Sequence, residues 1–160
     1  MKASIQSFQP SLRTKALAVQ FATAIALASV LAIPVASAQG EQVVTTPSGV
    51  AYVSGGVGTE SQDHLRAMER DFNLKLVFAL NTGNYLADIS VTILDSANNV
   101  RLTTTAQGPW LLAKLPPGNY QINVANGGAI ESRKVAVGDS ALKTVDFRWP
   151  PSPADALGTG

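Results

Sequence analysis

The side chains able to do chemistry are few, and they lie far apart along the chain. His64 is the single histidine. It stands near Glu60 and Asp63 on the wet side of an expected helix. A metal site needs a second histidine, a cysteine or a carboxylate at coordinating spacing, and none accompanies it. Serine chemistry needs a base within hydrogen-bond reach, which a histidine outside the predicted strands does not supply. Asp71, Asp88, Asp95 and Asp139 could meet in space as a carboxylate pair for acid–base work. Asp95 and Asp139, however, fall in turn sequences, where aspartate accepts backbone hydrogen bonds. Gly55, Gly56 and Gly58 in the stretch Ser54–Gly58 suggest a phosphate cradle, but neither Gly-Lys-Ser/Thr nor G-x-G-x-x-G is present. The stretch reads instead as a flexible lead-in to a helix. No catalytic, cofactor-binding or metal residue is expected.

Aromatic faces are the other resource. Trp110, Trp149 and Tyr85, with Tyr52 beside them in type, are the candidates for an interaction face toward a glycan or small ligand. Two observations weigh against the tryptophans. Trp149 alternates with core-facing Val145 and Phe147, and Trp110 sits in the most apolar stretch of the chain.

The elements that must position these groups begin after an export signal. Residues 1–15 carry Lys2, Arg13 and Lys15 and no acid, residues 16–32 are almost all small or apolar, and Pro34 ends the run. Ala36 and Ala38 occupy the −3 and −1 positions of a cleavage site, so 1–38 reads as a secretory signal peptide. An uncleaved anchor would need a longer and more apolar span. Of the 12 basic residues three lie in that segment and none of the 11 acids does, which leaves 9 against 11 and a net charge of −2. No nucleic-acid partner and no stable membrane anchor after cleavage is therefore expected. The absence of cysteine excludes a lipid-anchored form and disulfide staples, so a periplasmic or secreted domain would stand on its core alone.

In the mature chain, 39–58 is a Gly-rich lead-in, with Val50–Val53 able to add an edge strand. Thr59-Glu60-Ser61-Gln62 fits a capping box, and Leu65, Met68 and Phe72 recur at helical spacing, which predicts one short amphipathic helix within 59–72. From Asn73 the period changes to two. Strands are expected at Leu74–Phe78, Ile89–Leu94, Val100–Thr105, Trp110–Ala113, Tyr120–Val124, Ile130–Val137 and Val145–Trp149. The Trp110–Ala113 run is too apolar to alternate and reads as buried on both sides. Pro150 to Gly160 form a Pro-rich tail read as disordered.

Leu115-Pro116-Pro117-Gly118-Asn119-Tyr120 is the most specific local pattern. Pro117 and Gly118 suit the two central positions of a type II turn. The spacing L-x-P-G-x-Y of Leu115, Pro117, Gly118 and Tyr120 fits a tyrosine corner, in which the phenol ties back to main chain upstream. The expected fold is all-β, a seven-stranded antiparallel Greek-key sandwich over 73–149 preceded by the helix.

Leu74–Phe78, Val91–Asp95, Leu115–Tyr120 and the last strand together resemble the carboxypeptidase regulatory-like domain of the transthyretin-like, or prealbumin-like, sandwiches. Asn73–Ala79, Tyr85–Asp88 and Gly108–Trp110 look like a small exported bacterial family of this type. The resemblance spans roughly 73 to 148. It implies a noncatalytic module, since the regulatory-like domain packs beside a separate enzymatic domain in the enzymes that carry it. No zinc-ligand set is carried over. The starch-binding-like sandwiches share this topology, so the partner is an envelope protein or, alternatively, a glycan or small ligand.

Overall fold

The structure is a computed structural model and describes residues 41–153. Residues 1–38, expected to be a signal peptide, residues 39–40 of the lead-in and the tail from residue 154 lie outside the described residues. Those described are mostly β, in two sheets, with one short helix. In chain order the elements are β1 Val44–Thr45, β2 Ala51–Gly55, α1 Thr59–Met68, a 3-10 turn Glu69–Asp71, β3 Leu74–Leu80, β4 Ile89–Asp95, β5 Val100–Ala106, β6 Trp110–Lys114, β7 Gly118–Asn126, β8 Ala129–Val137 and β9 Lys143–Trp149. One sheet has the order β1-β2-β6-β3-β9, the other β5-β4-β7-β8.

Alternation explains the layers. Leu74, Leu76 and Phe78 of β3, Val145, Phe147 and Trp149 of β9, and Leu111 and Ala113 of β6 point inward from the first sheet. They share one core with Val91 and Ile93 of β4, Leu102 of β5, and Tyr120, Ile122 and Val124 of β7. Phe147 stacks between Phe78 and Trp149, with ring centroids 6.1 and 6.3 Å away.

The first sheet is also covered on its outer face. Leu65 and Phe72 are buried with Val53, Trp110 and Leu112, and Met68 and Val77 pack alongside. This second core accounts for the unbroken apolar run of β6. Leu111 and Ala113 face the other sheet, while Trp110 and Leu112 face the helix. The Lys75 ammonium lies 3.5 Å from the centre of the Trp110 ring and 2.5 Å from Glu69 Oε1, sealing the rim of this layer.

Four expectations need correcting. Among the described residues nine strands are present where seven were expected, because the described part of the lead-in, 41–58, is not simply flexible: β1 and β2 form a hairpin, and β2 pairs with β6 along Ala51–Gly55. The set is not wholly antiparallel, since β9 runs parallel to β3 from Leu74↔Lys143 to Leu80↔Trp149. Direction across a sheet-to-sheet crossing leaves no trace in alternation. The capping box does not form. Gly58, at φ 84°, is the N-cap with no side-chain cap bond, and Ser61 and Gln62 bond to Gly56 instead. The type II turn is also absent. Gly118 is not among the positive-φ glycines and opens β7 opposite Val137, whereas a type II turn needs φ above zero there.

Candidate functional site

Tyr120 leaves β7 toward the shared core, and its hydroxyl donates to the Pro116 carbonyl at 2.6 Å. Burial pushes the phenol pKa up, with Asp95 adding to the rise and Arg101 opposing it. Leu115 is buried beside it. Its backbone N–H donates to Asn73 Oδ1 at 2.9 Å, and its carbonyl accepts from Asn73 Nδ2 at 2.7 Å. Asn73 Nδ2 also donates to the Gly138 carbonyl at 2.8 Å. Asn73 is the one buried polar residue among those described. It ties the start of β3 to the β6–β7 and β8–β9 connections.

The aromatic candidates do not meet. Trp110 is 5 % exposed under the helix and Trp149 3 % exposed in the inter-sheet core. Tyr85 is 54 % exposed and makes a single bridge to Ala79. The carboxylates are equally dispersed. Asp95 Oδ1 accepts the N–H groups of Ala97 and Asn99, both at 2.9 Å, and the Asn99 side-chain amide. The Asn99 backbone and side-chain bonds, in that order, hold the Asp95 pKa below its ordinary range. His64 is exposed on α1. Among the described residues no group of three or more His, Cys, Asp or Glu could hold a metal ion.

No protein-family model matches the chain, and no curated protein matches it.

Two hollows remain. One, of about 370 Å³, lies beside the tyrosine corner between Asp95, Asn119, Tyr120 and Lys134. Its acid is already held by its own loop. The other is a groove of about 390 Å³ where the β1–β2 hairpin approaches β5, lined by Glu41, Val44, Tyr52, Ser54, Thr105 and Gln107 among others. Both sheets contribute to it. Tyr52 and Thr104 join across the sheets through their hydroxyls at 3.2 Å. Ser48 Oγ donates to the Arg101 carbonyl at 2.5 Å, and the Gln107 N–H donates to Ser54 Oγ at 3.3 Å. Glu41, the carboxylate of the groove, accepts from Ser61 Oγ and from the Gly56 N–H. Gly56 has φ 89° and lies against Trp110, so the glycine run shapes this junction.

Sequence reasoning missed both Asn73 and the groove. The groove joins residues some fifty positions apart, and Thr and Gln carry no spacing signal. The available clue was Thr103-Thr104-Thr105, a charge-free run in a long outer strand where the other two long outer strands, β8 and β9, carry several charges.

Proposed function

We propose that the chain is an exported, noncatalytic β-sandwich module of the prealbumin-like kind, serving as a protein-interaction or structural accessory of the cell envelope. The groove beside β5 is the observation that carries this reading. It is open and lined by hydroxyl, amide and apolar groups, and its carboxylate is engaged by Ser61 and Gly56. Such a lining suits recognition better than bond-making. The helix supports the same choice of surface. Its apolar stripe is buried on the first sheet, so that stripe is not free to dock a partner.

A glycan-binding role is the second reading. The Tyr52 ring and the Gln42 and Gln107 amides in the same groove favour it.

The test places a photo-crosslinking residue singly at Gln107, Ser132, Arg148 and His64 of the tagged chain, in the cells that make it. A discrete protein adduct from at least one position is expected. Polysaccharide adducts would replace this reading with the glycan one, and no adduct at any position would overturn both.

A further inference from the structure

We infer that β5 is an acceptor edge, to which an extended segment of a partner protein adds as a fifth strand of the β5-β4-β7-β8 sheet. The inference rests on the interaction-module reading above.

Main-chain direction is the first observation. The Asp95 N–H bonds the Asn99 carbonyl across the β4–β5 hairpin. Backbone groups of alternate residues in β4, including Ile93 and Val91, therefore face β5. Their partners are Leu102 and Thr104. The N–H and C=O groups of Thr103 and Thr105 consequently point the other way, where β5 has no neighbouring strand among the described residues. Arg101 is the extra residue at the bulge opposite Ile93 and Leu94, and its carbonyl also points outward, to Ser48.

Second, the ends of this edge are already occupied while its middle is open. Ser48 takes the Arg101 carbonyl and Ser54 takes the Gln107 N–H. Between them Thr103 and Thr105 offer two donors and two acceptors, the complement of a short extended peptide. The groove runs alongside. A side chain pointing inward from an added strand would enter it between Val44, Tyr52 and Val57, and the next would lie on the outer face of the sheet beside Thr103 and Thr105.

Third, the middle of this edge is the least defended stretch among the long outer strands of the described residues. β8 carries Glu131, Arg133 and Lys134, β9 carries Lys143, Asp146 and Arg148, and β1 has only two residues. β5 has no proline, and its one charge, Arg101, sits at the bulge, which leaves Leu102 to Ala106 uncharged. Native sheets discourage edge pairing with such residues, so a stretch without them stands open to a strand. The wall that an inward side chain would meet is mixed, with Val44, Tyr52 and Val57 beside Ser54 and Gln107, so the edge selects an extended main chain rather than one apolar side chain.

Thr105→Pro tests this directly. Proline removes the outward N–H and is tolerated on an edge strand, while Thr105→Ala keeps the N–H and removes only the side chain. The probe is a displayed library of random nine-residue peptides selected on the folded wild-type chain. Enriched peptides are expected to bind wild type and Thr105→Ala alike and Thr105→Pro at least tenfold more weakly. They should also slow amide exchange at Thr103 and Thr105 in the wild-type chain, a readout that holds even if the proline variant folds poorly. No enrichment, unchanged binding to a folded Thr105→Pro, or protection elsewhere would overturn the inference. So would a crosslink at Gln107 to a second copy of this chain. Protein adducts at Ser132, Arg148 or His64 alone would sink the β5 edge yet leave the module reading intact, whereas no adduct anywhere would remove that reading too.

Discussion

Two side chains hold the connection between the sheets, and they are not equal. The Tyr120 hydroxyl makes one bond, to Pro116. Asn73 satisfies three main-chain groups, on Leu115 and Gly138, from a site without solvent. Leaving a buried donor or acceptor unpaired costs about 1–3 kcal/mol each. Tyr120→Phe should therefore cost about 1 kcal/mol or somewhat more. Asn73→Ala should cost at least about 3 kcal/mol, and urea denaturation of the two variants measures the difference. Equal midpoints would show that Asn73 is not the stronger tie. Titration separates two further residues. Asp95 has a lowered folded pKa, so its contribution is present above the ordinary carboxylate range near pH 4 and fades as pH falls through that region. Asp95→Asn should flatten the acid side of the melting profile. Tyr120 has a raised folded pKa, so its contribution is intact below about pH 10 and is lost as pH rises further. Tyr120→Phe should flatten the alkaline side. Melting temperatures at stepped pH check both signs.

At the level of elements the helix is the part that local sequence specifies least. Its N-cap is Gly58 at positive φ, with no side-chain cap. Thr59→Ala should leave stability within about 0.5 kcal/mol, as for an uninvolved surface position. Gly58→Ala should cost about 1–3 kcal/mol, because φ 84° with ψ 166° is a backbone region essentially limited to glycine, although no atom lies in the path of the new methyl. Thermal melts of both rank them, and the reverse order would restore Thr59 as the cap. Packing holds the helix in place. Leu65 is fully buried against Val53, Trp110 and Leu112, and Leu65→Ala should cost about 2–5 kcal/mol.

Strand identity was legible from period-two alternation at β4, β7 and β9, where one face is buried and the other more exposed, and at β3, where Lys75 keeps the alternation although Val77 packs under the helix. Leu65, Met68 and Phe72 likewise announced the helix face. Partner choice was not legible. Whether β9 joins β3, and in which direction, depends on where the chain crosses between sheets. The bonds of Asn73 that help set that crossing come from a residue whose type usually marks a loop. The capping box failed for a related reason: Ser61 and Gln62 found partners on Gly56, a tertiary arrangement that outweighs the local pattern.

Across the whole molecule the two cores are not separable layers, because β3 and β6 are common to both. Phe78 lies in the inter-sheet core and its neighbour Val77 packs against the helix core, and Leu111 and Leu112 divide in the same way. Losing one core exposes strands that the other needs, so unfolding should be a single transition. The two tryptophans report on opposite sides of the first sheet, Trp110 on the helix side and Trp149 between the sheets. Neither indole N–H has a hydrogen-bond partner in the structure, so Trp→Phe at either position removes no bond. In the single-tryptophan chains Trp149→Phe and Trp110→Phe, fluorescence melts should superimpose on each chain's own circular-dichroism melt. Leu65→Ala should then move the Trp149 signal as far as the Trp110 signal, by roughly 10 °C at about 4 °C or more per kcal/mol. An earlier Trp110 transition with Trp149 unmoved would mean that the helix layer peels away alone. The inner face of the first sheet would then stand independently of the cover on its outer side.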